Sequence, residues 1–278
     1  TIALLGGALT IVLGLVSQTK ALGDGINPHY FINFIDFNVI FLLVSMMVIV
    51  SITTRSGVFN WIANELLKFT KGHPVKVLCA LGLFTAVTSA FLDNVTTVIL
   101  IMPITFAIAK KLDIDPIPFL LTEIFSYNIG GKATLIGDPP NIIIGSAGGL
   151  SFIDFIKELT PVILVIMCVI LTVLAFIFRK KLHASQDKMD EVAKIDNSHT
   201  ITDKALMIRS TLILALVILG FMLHDVTHIE TCVVAMLGAS ILLIFEKPNE
   251  ILQDVEWNTI FFFIGLFIII GGLEASGG

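Results

Sequence analysis

Residues 128–141 read "NIGGKATLIGDPPN". Three glycines, two consecutive prolines, two asparagines, an aspartate and a lysine stand between the apolar runs "PFLLTEIFSY" and "IIIG". Gly130 and Gly131 stop a helix that starts near Ile117, Pro139 and Pro140 cannot continue one, and "NIIIG" restarts it. The chain around this stretch is 56% hydrophobic and 14% charged, with a mean hydropathy of +0.96. Soluble domains carry about 25% charged residues. A polar, helix-breaking stretch in so apolar a chain needs a reason.

The apolar residues fall in blocks. Leu159–Phe178 is a run of 20 residues without a charge, long enough to cross a bilayer as a helix. Ile2–Val16, Asn38–Thr53, Val77–Leu92, Val95–Ala109, Ala205–Leu223, Thr231–Phe245 and Thr259–Gly272 are further segments. Several are shorter than the ~20 residues of a full crossing. The class this defines is an all-α, polytopic integral membrane protein, with the lipid bilayer as its first partner. The formal charge of −5 says little about others, because placement of charge outweighs its sum in a membrane. Cys79, Cys168 and Cys232 sit in apolar segments without ligand spacing and read as small core residues. His224 and His228 flank a short loop and read as a solvated turn. There is no phosphate-cradling Gly-Lys motif, dinucleotide fingerprint or zinc-protease motif. Nothing in the sequence points to ATP hydrolysis or soluble-enzyme chemistry, and neither a cofactor nor a nucleic-acid partner is expected.

Lysine and arginine cluster in residues 55–76 and 179–209, whereas the loops 17–36 and 224–228 are poor in them. The positive-inside rule places both basic loops in the cytoplasm, and the plasma membrane is the expected location. Lys110 and Lys111 also belong inside, so 77–109 is expected to be a re-entrant hairpin turning at Asp93-Asn94. Residues 117–145 then cross outward as a broken helix, and Leu159–Phe178 returns. Val58–Phe69 has apolar residues at helical spacing and reads as an interfacial helix. Glu123 and Lys157 lie nearer segment ends and read as interfacial. Residues 188–203 read as a flexible linker.

"IDFNVIFLL" from Ile35 resembles "VEWNTIFFF" from Val255, with Asp36, Phe37, Asn38 and Phe41 matching Glu256, Trp257, Asn258 and Phe261. Ser56-Gly57 matches Ser276-Gly277 at the same offset, and "IALLGGAL" from Ile2 resembles "VAMLGASI" from Val234. The charge map puts Asp36 outside and Glu256 inside, so the copies run in opposite directions, as in the inverted repeats of secondary transporters. Residues 1–179 form a first repeat, 180–204 a cytoplasmic linker, and 205–278 the start of a second. The chain starts at Thr1 and its second copy stops before a hairpin of its own, so a fragment of a longer carrier is expected.

Backbone polar groups in hydrocarbon need partners, so broken helices persist where they are buried or line a cavity. The chain has two such breaks, "SAFLDNVTTVILIMP" (89–103) and the opening stretch. Each restart aims a helix N-terminus at mid-membrane, which suits an anion. Carbonyls freed at Gly130, Gly131 and Asp138 suit a cation. The candidate solute or ion ligands are Asp93, Asn94, Thr96, Thr97, Asn128, Gly130, Gly131, Lys132, Thr134, Asp138 and Asn141. Asp93 and Asp138 lead because ionisable groups at membrane depth are functional by default. The plain alternative is a kink with capped ends; two breaks rich in Asn, Thr and Asp favour a site.

"SAFLDNVTTVILIMP" with "NIGGKATLIGDPPNIIIGS" resembles the ion transporter superfamily of arsenite carriers, citrate carriers, divalent-anion sodium symporters and the melanosomal P protein. The aspartates in "GDPPN" and "DNVTT" look most like the arsenite-carrier and P-protein branch. The resemblance implies two inverted repeats, a solute held between two hairpin tips, elevator-type movement and often a homodimer. It implies a secondary active transporter of an anion or metalloid (arsenite, citrate or another carboxylate) coupled to H+ or Na+. A sodium–proton antiporter is the nearest alternative, and a channel is the alternative of another class. An intramembrane enzyme is disfavoured, since no nucleophile–base pair or zinc ligand set appears. Lys132 departs from the family pattern, which has a small or apolar residue there. Asp138 lies six residues on, so the Lys132 ammonium is expected to reach Asp138 or Asp93 and stand where relatives hold sodium; the alternatives are that it supplies positive charge to an anionic solute, or that its long stem snorkels to water.

Overall fold

The computed structural model describes residues 2–21, 32–92, 94–193 and 200–275. The helices are α1 (Ile2–Ala21), α2 (Phe37–Arg55), α3 (Val58–Thr70), α4 (Pro74–Ser89), α5 (Asn94–Leu112), α6 (Ile117–Gly130) and α7 (Pro139–Gly148). They continue with α8 (Phe152–Glu158), α9 (Thr160–Phe178), α10 (Gln186–Ala193), α11 (Lys204–Met222), α12 (His224–Thr227), α13 (Thr231–Leu243), α14 (Pro248–Leu252) and α15 (Trp257–Ala275). No strand occurs among the described residues. Among the described residues, four helices are long and apolar enough to cross a membrane: Phe37–Arg55, Thr160–Phe178, Lys204–Met222 and Trp257–Glu274. Along α9, Val165, Val169, Val173 and Phe176 stay exposed, as expected of a helix whose solvent is lipid.

α2 is the central post. Asp36 caps it, accepting from the Asn38 N–H at 3.0 Å. Its Val39, Leu42, Leu43, Met47 and Ile49 are buried with Val217 and Phe221 of α11 and Ala235, Ala239 and Leu242 of α13. α13 packs on α2, and α1 packs on α15. A Cβ on Gly265 would stand 2.4 Å from the Ala3 backbone, so a glycine here lets the α1 and α15 backbones touch. In the sequence repeat α1 corresponds to α13 and α2 to α15. The two contacts, α1 with α15 and α13 with α2, are therefore reciprocal, which is the pattern a two-fold between copies generates.

The ends of α2 fix relative direction. Arg55, at its last residue, pairs with Asp254 at 2.8 Å and Glu250 at 3.4 Å, so α15 starts beside the end of α2. Asp36, at the opposite end of α2, accepts from the Ser146 hydroxyl of α7.

α4 and α5 fold back on each other. Val77, Leu78 and Leu81 near the start of α4 share one buried cluster with Ile104, Ile108, Ala109 and Leu112 near the end of α5. Leu67 of α3, Phe119 at the start of α6 and Leu182 after α9 complete it. The supposed linker departs from expectation. Residues 186–193 form α10, which packs on α3 and α5. Residues 200–202 also dock: Asn64 donates to Thr200 Oγ1 at 3.3 Å, and the Thr202 N–H to the Ser56 carbonyl at 3.1 Å. Polar composition reads as flexibility in sequence, but tertiary packing supplies the stability that so short a helix lacks alone.

Candidate functional site

α6 ends at Gly130, a single 3-10 turn covers Gly131–Ala133, and the chain bends through 134–138, with Thr134 and Asp138 themselves extended, before α7 begins. The hairpin tip closes on this break. Gly130 has helical φ and ψ, so it is not there for conformational freedom. A Cβ on it would stand 2.3 Å from the Ala86 carbonyl of α4, and its absence is what lets the hairpin leg seat.

The freed backbone groups find partners within the site, as they must away from water. The Asn141 amide donates to the Gly131 carbonyl at 3.0 Å and the Thr134 carbonyl at 2.8 Å. The Thr134 hydroxyl donates to the Ala90 carbonyl at the hairpin tip and accepts from the Gly137 N–H at 3.2 Å. Ser89 Oγ lies 2.9 Å from both Asn94 Oδ1 and the Tyr127 carbonyl, and its one proton serves either. The Gly131 carbonyl thus carries one hydrogen bond, from Asn141, on one of its two lone pairs.

The α7 N-terminus also differs from expectation. Its first two residues are Pro139 and Pro140, which carry no N–H. The Asn141 N–H goes to the Asp138 carbonyl at 2.9 Å. Few donors remain for an anion there, and side chains carry the chemistry. Asp138 occupies the N-cap position without making a capping bond. Its carboxylate pairs instead with the Lys132 ammonium, at side-chain exposures of 11% and 43%.

A cavity of about 380 Å³ opens at the junction. Asn94, Asp138, Pro139 and Pro140 line one wall, and Asn258, Thr259, Phe262 and Phe263 of α15 the other. Asn94, Gly130, Gly131, Lys132, Thr134, Asp138 and Asn141 are therefore gathered around one break. Asn128 is not among them: it is exposed, and its amide donates to the Ile124 carbonyl of its own helix at 2.8 Å. Thr97 is buried in α5. Asp93 and the Thr96 side chain lie outside the described residues, as does Ser276-Gly277.

Asn258 and Thr259 were not candidates from sequence, although the signal was present: Asn258 is the repeat counterpart of Asn38. The sequence did not show that Glu123 is buried among its neighbours: it is 5% exposed and accepts from the Thr105 hydroxyl of α5. Among the described residues no group of three or more His, Cys, Asp or Glu side chains is placed to hold a metal.

Apolar helices long enough to cross a membrane and a helix broken against a hairpin tip define an integral membrane protein of the all-α class. The chain belongs to the citrate transporter family (CitMHS), whose profile matches residues 1–278. It is 40% identical over 273 residues to the 46 kDa membrane protein of Mycobacterium leprae, covering 98% of this chain and 62% of that one. It is 40% identical over 278 residues to the uncharacterized transporter Rv2684 of Mycobacterium tuberculosis, covering 99% of this chain and 63% of that one. The P protein of Homo sapiens is 28% identical over 342 residues, covering 95% of this chain and 41% of that one. The chain thus spans 62–63% of the length of the mycobacterial relatives.

Proposed function

We propose that this chain is part of a secondary active carrier for a small anionic or metalloid solute, citrate and arsenite being the first to test. The carrying observation is the cavity where Asn94 and Asp138, from the hairpin tip and the broken helix, face Asn258 and Thr259. Two amides, a hydroxyl and one carboxylate are the few polar groups that fix a solute in a lining otherwise made apolar by Pro139, Pro140, Phe262 and Phe263. The hairpin and broken helix are stitched to each other through Thr134, Ser89 and Gly130. They would move as a unit against α2, α13 and α15, an elevator-type motion between inverted repeats. Residues 55–76 and 179–209 face the cytoplasm in this reading, and the membrane is the plasma membrane.

Coupling is part of the same reading. Lys132 places an ammonium on Asp138, where a coupling sodium would otherwise be held. The carrier is therefore independent of sodium and driven by protons.

Flux through the full-length carrier in proteoliposomes tests this. Saturable citrate or arsenite uptake, accelerated by the same solute on the far side, is expected. Conductive flux that does not saturate would make it a channel. Sodium-for-proton exchange without solute would make it an antiporter.

A further inference from the structure

With Asp138 matched by Lys132, a proton-driven carrier needs a second group to hold the proton, and the hairpin–broken-helix unit contains one. Glu123 lies on α6, seven residues before Gly130, which is roughly 10 Å along a helix. It is 5% exposed and accepts from the Thr105 hydroxyl. It forms no ion pair among the described residues.

α6 packs against α4, α5, α9 and the turn at 131–133. The titratable groups on those elements leave Glu123 alone. Lys76 of α4 and Lys110 and Lys111 of α5 are exposed near helix ends, and Lys132 is held by Asp138. Cys79 of α4 is half-buried and Cys168 of α9 is exposed. Tyr127 is the other titratable group on α6 itself. An ionised carboxylate so placed, away from water and without a cation, is costly; the neutral acid is not.

Thr97 Oγ1 on α5 and Ser126 Oγ on α6 add an independent observation. Both residues are 0% exposed, and these oxygens have no hydrogen-bond partner among the described residues. Buried hydroxyls are seldom left so. Ser126 is one turn from Glu123 toward the break. Beyond it Ser89, set between the Tyr127 carbonyl and Asn94, leads to the cavity.

We propose that Glu123 is the proton-binding site of the carrier. It takes one proton from the water of one side, crosses as the neutral acid hydrogen-bonded to Thr105, and releases the same proton to the other side. Ser126 and Thr97 are hydroxyls on its path to and from water. This inference rests on the carrier reading but names a site separate from the cavity.

The full-length carrier is reconstituted with an internal pH dye, and radiolabelled citrate is the probe. A pH gradient should drive citrate accumulation in the wild type. Glu123→Gln should keep citrate–citrate exchange and lose gradient-driven accumulation to the level of empty liposomes. Glu123→Asp should recover part of it, and Thr105→Val should move its pH profile. Gradient-driven accumulation by Glu123→Gln equal to wild type would overturn the proposal and leave Glu123 a structural clasp. Infrared spectra of the wild type read the site without any variant: a protonated carboxylic-acid band at neutral pH is expected, and its absence also overturns the proposal. If the wild type moves no citrate, the citrate reading fails, and the infrared band alone decides for Glu123.

Discussion

Arg55 Nη2 donates to Asp254 Oδ2 at 2.8 Å and ties the last residue of α2 to the approach of α15. Arg55 Nε reaches the same oxygen at 3.1 Å, Ser51 Oγ donates to it, and Arg55 Nη2 also reaches the Glu250 carbonyl at 2.9 Å. One carboxylate oxygen thus gathers both second helices of the sequence repeat where one ends and the other begins. Burial pushes the Asp254 carboxyl up, but the Ser51 hydrogen bond and the Arg55 guanidinium outweigh it and hold it below its ordinary value. A depressed carboxyl adds stability above its ordinary value of 3.8 and loses it as pH falls through the lower folded value. Both side chains are part-exposed, so the pair contributes only about 0.2–1 kcal/mol. Asp254→Asn should melt slightly below wild type at neutral pH, and the gap should close on acidification below 3.8. A thermal-shift series in detergent across pH checks it, and a gap that widens in acid would contradict it.

The breaks were legible because glycine and proline have few roles inside an apolar run, and the counterpart of Asn38 was legible because its acid and aromatic neighbours repeat with it. Depth was not. Glu123 is six residues from the start of α6, which reads as a rim position. Phe119 is 0% exposed one turn before it, so α6 begins already covered by its neighbours. Asn128 and Asn141 are alike in sequence, but helix phase turns one outward and the other into the break. The missing donors of Pro139 and Pro140 were readable from the letters alone.

Gly130 should not tolerate a side chain. A Cβ there would meet the Ala86 carbonyl at 2.3 Å, and backbone cannot yield as a side-chain tip can. Overpacking of this kind costs about 1–3 kcal/mol. Gly130→Ala should lower the melting temperature and abolish transport by the full-length carrier. Gly148→Ala, whose Cβ would meet only the Leu150 side chain at 3.4 Å, is the control and should behave as wild type.

The two feet of the hairpin should share one face of the membrane. Buried contacts bring the start of α4 to the end of α5, and Lys76 and Lys110 flank the pair. In a background with Cys79, Cys168 and Cys232 replaced, cysteines at 76 and 110 should both react with an impermeant maleimide from the cytoplasmic side. Labelling from opposite sides would make α4 and α5 two separate crossings.

Lys132 carries the sharpest test of coupling. Its ammonium sits on Asp138, a carboxylate 11% exposed that lines the cavity. Removing one partner of a buried pair costs ~3–5 kcal/mol, and less here because Lys132 is 43% exposed. Lys132→Ala leaves the Asp138 carboxylate in want of a cation of about the size sodium offers. Wild-type uptake should be indifferent to sodium, and Lys132→Ala uptake should become stimulated by it. Adding Asp138→Asn should remove that stimulation, because no charge is left to attract the ion. The measurement is uptake by the full-length carrier in sodium against choline medium at fixed pH. Sodium-dependent uptake by the wild type would end the idea that Lys132 replaces the ion. Lys132→Ala uptake unchanged in rate, affinity and pH profile would reduce Lys132 to a long stem reaching for water.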